Sequence, residues 1–237
     1  MLCGHRGSGK GVVDGRRENT LDSFRAAVDS GLRWVEADAR LNADRLLVSR
    51  HDPVVEDGRL VSELTTAETD DLGLMHVVDL LEELPRHVGI DLDVKTSLED
   101  ALRPREETTA ALVADLVSRT AGARPLLVTS FDPAAILIFR EREPSVPIGL
   151  LTWRGFPVRK AVAAAAQLGA EVVAPHADAL LPEQPLERPV TELVRVAHEA
   201  GLEVLTWSFG LERMAELIAL GIDCLVVDDV PTAVASQ

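Results

Sequence analysis

Short apolar runs alternate with amphipathic stretches along the whole chain. Eight runs have the length and composition of buried β-strands, at residues 1–5, 33–38, 87–94, 125–130, 147–151, 171–175, 203–207 and 223–227. Between them, apolar residues recur at helical spacing near residues 21–28, 76–84, 105–119, 133–142, 158–168, 189–199 and 211–220. This alternation predicts parallel strands, and eight such units favour one (β/α)8 TIM-barrel domain over residues 1–237. The alternative is an open, doubly wound sheet.

One further strand, at residues 45–51, does not fit this alternation. It follows the second strand after too few residues for a parallel crossover, so it must return as an antiparallel hairpin. The turn falls near Asn42, Ala43 and Asp44. Symmetry about this turn places Glu36 roughly opposite His51. The barrel is therefore predicted to carry a β-hairpin extension after its second strand, with His51 returned to the barrel mouth.

The bulk composition limits the class of partner. The chain has 237 residues, of which 46% are hydrophobic, and a formal net charge of −15. Such an acidic protein is not expected to bind nucleic acid or an anionic membrane, since both need clustered Lys and Arg. No run is long and apolar enough for stable membrane insertion. The composition gives no indication of oligomeric state.

The N-terminus and the cysteines bear on the compartment. Met1 stands only four residues before His5, which leaves no room for a signal peptide. If Met1 is the natural start, we expect a soluble, cytoplasmic protein. Cys3 and Cys224 both lie in strand-like runs, and we expect buried, reduced thiols.

Polar residues gather where the predicted strands end. His5 ends the first strand, Glu36 and Asp38 end the second, and His51 ends the hairpin. Active sites of α/β barrels lie at these carboxyl ends. Carboxylates two apart on a strand share a face and can hold a hard divalent cation, and histidines move protons near neutral pH. With Arg6, which can fork onto a phosphate, these residue types favour metal-assisted phosphodiester hydrolysis.

The later strands add to this set. Asp93 and Lys95 share a face at the end of the third strand, and Trp207 ends the seventh. A lone strand-end histidine is usually structural, but several titratable groups at one mouth favour a functional site. Residues 4–11 nearly match the nucleotide-binding P-loop, but Gly11 replaces the hydroxyl residue that would hold magnesium. We therefore interpret these glycines as giving flexibility to the first loop.

The order of these motifs resembles the glycerophosphodiester phosphodiesterase family. The matching segments are His5-Arg6-Gly7, Glu18-Asn19-Thr20, Glu36 and Asp38, His51-Asp52, Asp93 and Lys95, Ser130-Phe131-Asp132, Thr206-Trp207 and the ending at residues 221–231. The resemblance implies a (β/α)8 barrel and a magnesium- or calcium-type divalent cation. It also implies a small-molecule glycerophosphodiester substrate, cleaved to an alcohol and glycerol 3-phosphate.

The resemblance also implies roles for individual residues. They are the general acid and base His5 and His51, the metal ligands Glu36, Asp38 and Asp93, and the substrate- or phosphate-binding residues Arg6, Lys95, Glu18 and Trp207. The third metal ligand of the family is usually glutamate, and aspartate is shorter by roughly 1.5 Å. The related sphingomyelinase D group has aspartate there.

Two alternatives stay open beside this interpretation. One is a lysophospholipase D or sphingomyelinase D type of activity on single-chain lipids, favoured by Asp93 and by an apolar lip at Trp153 and Phe156. The other is a barrel that binds phosphodiesters without turnover. The sequence leaves open which alcohol is released, which metal binds, which histidine is the acid, and whether a cyclic phosphate forms.

Overall fold

Eight parallel strands close into a barrel in the computed structural model, which describes residues 1–120, 122–181 and 188–236. The strands are β1 Leu2–His5, β2 Trp34–Leu41, β3 Gly89–Val94, β4 Leu126–Ser130, β5 Ile148–Thr152, β6 Val172–Pro175, β7 Glu203–Thr206 and β8 Cys224–Val227. Each strand pairs in parallel with the next, and β8 pairs with β1. The predicted (β/α)8 barrel is confirmed, and the open sheet is wrong.

Helices follow the strands along the chain. They are α1 Leu21–Asp29, α2 Thr66–Asp71, α3 Val77–Glu83, α4 Thr109–Ser118, α5 Pro133–Arg142, α6 Val158–Gln167, α7 Ala177–Leu180, α8 Val190–Glu199, α9 Met214–Ala219 and α10 Val230–Ala235. The helix predicted at residues 105–119 begins instead with a 3₁₀ turn, Arg105–Glu107, because Thr108 accepts the Ala111 N–H and caps α4. Among the described residues, no helix has the length and hydropathy needed to cross a bilayer.

The strands alternate between two environments. In β3, Ile90 and Leu92 pack outward into the core between barrel and helices, so Asp91 and Asp93 face inward. The barrel interior contains its own apolar cluster, formed by Cys3, Leu127, Leu151, Val172, Ala174, Leu205, Cys224 and Val226. Both cysteines are free and buried, as predicted. The polar inward positions of β2 and β3 lie above this cluster, toward the carboxyl ends of the strands.

The hairpin after β2 is present but shorter than predicted. Only Leu47–Val48 pairs with β2, in an antiparallel register that sets Leu47 opposite Leu41. Continued to its end, this register would set Ala37 opposite His51, so the predicted pairing with Glu36 is wrong by one residue. The ladder ends because Ser49 N donates to the carbonyl of Met75 at 2.7 Å.

His51 reaches the barrel mouth through a side-chain contact. The guanidinium of Arg40 donates to the backbone carbonyl of His51, with Nε at 2.8 Å. Arg40 lies in β2, so a barrel strand holds the loop that carries His51.

Asp91 is a buried acid inside the barrel. Its side chain accepts a hydrogen bond from Thr129 Oγ1 at 2.9 Å across β3 and β4. Burial raises the pKa of Asp91 from 3.8 to about 8. Because the folded pKa is raised, this group contributes stability that is complete below pH 3.8 and is lost as pH rises toward about 8.

We expect Asp91→Asn to remove this pH dependence, because the amide keeps an acceptor for Thr129 and does not ionise. Between about pH 5 and pH 8, the wild type should lose about 2–4 kcal/mol of unfolding free energy that the variant does not lose. Urea unfolding at both pH values, with chelator present, measures this difference. Asp14→Asn removes the same charge from an exposed loop and is the control. An equal pH dependence in wild type and Asp91→Asn would contradict the assignment.

Candidate active site

A cavity of about 480 Å³ opens at the carboxyl ends of the strands. This volume suits a small-molecule site. Seven of the nine predicted site residues line it: His5, Arg6, Glu36, His51, Asp93, Lys95 and Trp207. The other two do not line the cavity surface. Asp38 is buried beneath it and is 1% exposed, and Glu18 contacts Arg6 and the backbone of Gly11.

Three carboxylates converge at the base of this cavity. Glu36, Asp38 and Asp93 each offer an oxygen, and the three oxygens lie within 4.8 Å of one another. The strand register explains the convergence: Asp38 is paired with Asp93 across β2 and β3, and Glu36 lies two residues before Asp38 on the same face. All three side chains are buried.

Two oxygens of this cluster are buried without a hydrogen bond. Asp38 Oδ2 accepts from Asn19 Nδ2 at 2.7 Å. Within the described residues, Asp38 Oδ1 and Asp93 Oδ1 accept none, although Lys95 Nζ lies 3.1 Å from Asp38 Oδ1 and also contacts Asp93 Oδ2. Unpaired buried carboxylate oxygens are costly and rare. Three converging carboxylates, two of which have such an oxygen, form a donor set that fits a hard divalent cation.

The charges of the cluster are only partly balanced. Burial opposes ionisation of Asp38, but Lys95 and Arg6 outweigh it and hold the pKa of Asp38 at about 2. Burial, with the charges of Asp38 and Asp93, raises the pKa of Glu36 well above its ordinary value. Burial also raises the pKa of Asp93. A positively charged group bound here would favour the ionised state of all three carboxylates.

Arg6 links the cluster to the first loop. Its backbone N–H donates to Glu36 Oε2 at 3.0 Å, and its Nε lies 3.5 Å from Asp38 Oδ2. Its Nη1 donates to Glu18 Oε1 at 2.8 Å. Glu18 also accepts from the backbone of Gly11. Glu18 therefore binds both Arg6 and the backbone of the first loop, and its role in binding substrate or phosphate stays a prediction.

Two glycines of the first loop, Gly7 and Gly9, are closely packed. Gly9 has φ +142°, and a Cβ there would lie 1.9 Å from the carbonyl oxygen of Asp228. Gly7 has φ +98° and lies against α1 at Ser23 and Phe24. Close approach of backbone segments, and not loop flexibility, accounts for these two residues.

The two histidines have different surroundings. The side chain of His5 is 13% exposed, with Nδ1 in contact with Asp228 Oδ1 and Nε2 lying 3.8 Å from Glu36 Oε2. His51 Nδ1 lies 2.7 Å from Asp52 Oδ1. Burial lowers the pKa of His51, despite the raising effect of Asp38, and so favours the neutral form of its ring. A neutral ring with Nδ1 bound leaves Nε2 available as a base.

Aromatic side chains form one wall of the cavity. The ring of Phe131 stacks on Trp153 at 4.0 Å between centroids and meets Trp207 edge-on at 5.5 Å. Lys95 Nζ lies 5.5 Å from the centroid of the Phe131 ring. Trp153 lines the cavity with Phe131, whereas the predicted lip paired Trp153 with Phe156.

Sequence reasoning assigned no role to three residues that contact the site. Asn19, in the loop before α1 at φ +56°, donates to Asp38 and so orients it. The amide of Asn19 is itself held in place, because its Oδ1 accepts a hydrogen bond from Ser49 Oγ at 2.7 Å. Arg40 lines the cavity and holds His51. Asp228 follows β8 and contacts His5. Asn19 was visible in its motif and Asp228 directly after the eighth predicted strand, but their partners depend on how the closed barrel brings distant segments together.

Comparison with known proteins agrees with this geometry. The sequence profile of the glycerophosphoryl diester phosphodiesterase family matches residues 5–232. The chain is 25% identical over 201 residues to glycerophosphodiester phosphodiesterase GDPD2 of Arabidopsis thaliana, covering 65% of this chain and 54% of the relative. It is 26% identical over 204 residues to glycerophosphocholine phosphodiesterase GPCPD1 of Homo sapiens, covering 63% of this chain and 30% of that protein. The chain thus spans about half or less of these relatives.

Solved structures share the fold. The crystal structure of a glycerophosphodiester phosphodiesterase from Thermotoga maritima is 21% identical with a TM-score of 0.76, covering 100% of this chain and 98% of that one. An Oleispira antarctica phosphodiesterase, solved with the product sn-glycerol-3-phosphate, is 20% identical with a TM-score of 0.80, covering 100% and 97%. With the family profile matching nearly the whole chain, the protein belongs to the glycerophosphoryl diester phosphodiesterase family.

Proposed function

We propose that the protein hydrolyses glycerophosphodiesters to an alcohol and glycerol 3-phosphate, using a divalent cation and proton transfer by His5 and His51. The observation that carries the proposal is the cluster of Glu36, Asp38 and Asp93, whose carboxylate oxygens lie within 4.8 Å of one another. Family membership supports the reaction class. The names of the Arabidopsis and human relatives, and the product in the Oleispira structure, support a glycerophosphodiester substrate.

Glu36, Asp38 and Asp93 are the residues that would hold the cation. A bound magnesium or calcium ion would supply positive charge to the phosphoryl oxygens. Arg6 and Lys95 lie beside these carboxylates and line the same cavity. Both carry fixed positive charge, since nearby carboxylates outweigh burial and raise the pKa of each. They therefore bind the substrate phosphate and stabilise the charge that grows on it during the reaction.

His5 and His51 supply the two proton transfers. One removes a proton from the attacking hydroxyl, and the other protonates the leaving alkoxide. Both line the cavity, and each has a carboxylate on Nδ1, so Nε2, which in His5 also accepts from Arg6 Nε, is the nitrogen that exchanges the proton. The aromatic wall of Phe131, Trp153 and Trp207 lines the same cavity and would contact the leaving alcohol. The cytoplasmic location and the single-domain organisation stay predictions.

Metal-dependent release of glycerol 3-phosphate tests this function. We expect release from at least one of glycerophosphocholine, glycerophosphoethanolamine, glycerophosphoglycerol and glycerophosphoinositol with magnesium, calcium or manganese. Excess EDTA should abolish it, and returning the metal should restore it. A lysophospholipid in the same panel detects an activity on single-chain lipids. Folded protein that releases nothing with any metal would contradict the proposal, as would turnover that EDTA does not change.

Alanine at either histidine should remove turnover while the fold survives. General acid–base transfers are worth roughly 10²–10⁴-fold each, so His5→Ala and His51→Ala should each lower kcat by about that factor. His76→Ala is the matched control, because His76 lies outside the cavity, against Asp70. Circular dichroism establishes folding, and the metal-supplemented assay measures kcat. Either variant keeping near-wild-type kcat would rule out the two-histidine scheme.

A further inference from the structure

Asp228 follows β8 and lies against His5 at the end of β1. The two strands are neighbours because the barrel closes, with Gly4 of β1 paired to Val227 of β8. The next residue of each strand is thereby brought alongside, although 223 positions separate the two in the chain. Asp228 Oδ1 is in hydrogen-bond contact with His5 Nδ1. The contact joins the first and last strands at the rim of the cavity.

A second contact indicates where the proton lies on the ring of His5. Arg6 Nε donates to His5 Nε2 at 3.2 Å. A guanidinium group has donors only, so His5 Nε2 is the acceptor and carries no proton. In the neutral ring the proton is then on Nδ1, where Asp228 accepts it. Arg6 and Asp228, on opposite sides of the ring, therefore favour the same tautomer.

Asp228 is suited to hold that tautomer. Burial opposes its ionisation, but the hydrogen bond from His5 and the charges of His5, Arg6 and Lys10 keep the pKa of Asp228 below its ordinary value. An ionised carboxylate accepts a stronger hydrogen bond than a neutral group does. Its negative charge also stabilises the imidazolium that forms when Nε2 takes up a proton.

We propose that Asp228 is a positioning residue that keeps His5 protonated on Nδ1, so that Nε2 is the nitrogen that exchanges a proton with the substrate. This rests on the proposed proton-transfer role of His5. His51 has an equivalent arrangement, since Asp52 Oδ1 lies 2.7 Å from its Nδ1. One histidine is thus held by its neighbour in sequence, and the other by the last strand of the barrel.

Asp228→Asn tests the proposal, because its amide can donate to Nδ1 and stabilise the wrong tautomer. We expect kcat to fall about 10²–10⁴-fold with KM changed by less than about threefold. Asp229→Asn is the matched control: it changes the same charge one residue on, where the carboxylate caps α10 by accepting from Thr232 N at 3.0 Å. Asparagine is an equally good cap, so this variant should stay within about twofold of wild type.

A double-mutant cycle separates action through His5 from a general effect on the fold. In the His5→Ala background, Asp228→Asn should lower the residual rate by no more than about twofold. The proposal is overturned if the two losses multiply, if Asp228→Asn keeps wild-type kcat, or if Asp229→Asn loses as much.

The tautomer is read directly from ¹⁵N chemical shifts of the histidine rings in alkaline solution, with the His5 signals identified by their absence in His5→Ala. We expect a protonated Nδ1 and a bare Nε2 in the wild type, and a redistribution toward protonated Nε2 in Asp228→Asn. A wild-type His5 with its proton on Nε2 overturns the proposal. This readout does not depend on turnover, so it decides the role of Asp228 even if no glycerophosphodiester is cleaved and the proposed function fails.

Discussion

The structure depends on a balance of charge at the carboxyl end of a closed barrel. Three carboxylates on neighbouring strands, Glu36, Asp38 and Asp93, are buried with oxygens within 4.8 Å of one another. Like charges at such distances in a buried site repel strongly. Lys95 and Arg6 offset part of this repulsion and hold the pKa of Asp38 at about 2, while Glu36 is driven toward its neutral form. A divalent cation and an anionic substrate would together offset the negative charge that remains.

The barrel makes this balance possible because closure brings together residues distant in the chain. His5 is paired with Glu36 on one side, through β2, and lies beside Asp228 on the other, through β8. The loop after β1 is packed against both α1 and β8, so Arg6 is held in place through its backbone and its side chain. The geometry of the candidate site therefore depends largely on the strand register, whereas His51 is carried by a loop that Arg40 holds.

Much of this arrangement could be predicted from the sequence. The alternation of apolar runs gave the eight strands, and two-residue spacing placed Glu36 with Asp38, and Asp93 with Lys95, on common faces. Strand-end positions then pointed to the mouth of the barrel. These signals are local, and each depends on the period of a strand or helix.

What the sequence could not predict are contacts set by register and by close packing. The hairpin register was wrong by one residue, because turn type and loop length set the register and the turn was located only approximately from the sequence. The first-loop glycines were interpreted as flexible, because their contacts with Asp228 and Ser23 exist only in the closed barrel. The partner of Asp228 is likewise fixed by closure. Phe131 was visible in its motif, but its stacking on Trp153 was not.

Direct cation binding tests the central claim, that the three carboxylates form a cation site. Isothermal titration of manganese into chelator-treated protein should show one site per chain. Asp38→Asn should weaken binding at least about tenfold, a loss of roughly 1.4 kcal/mol, because it removes one charged ligand while keeping an acceptor for Asn19. Asp52→Asn removes a carboxylate beside His51, outside the cluster, and should leave affinity unchanged. Absence of binding in the wild type, or equal affinity in Asp38→Asn, would contradict the account.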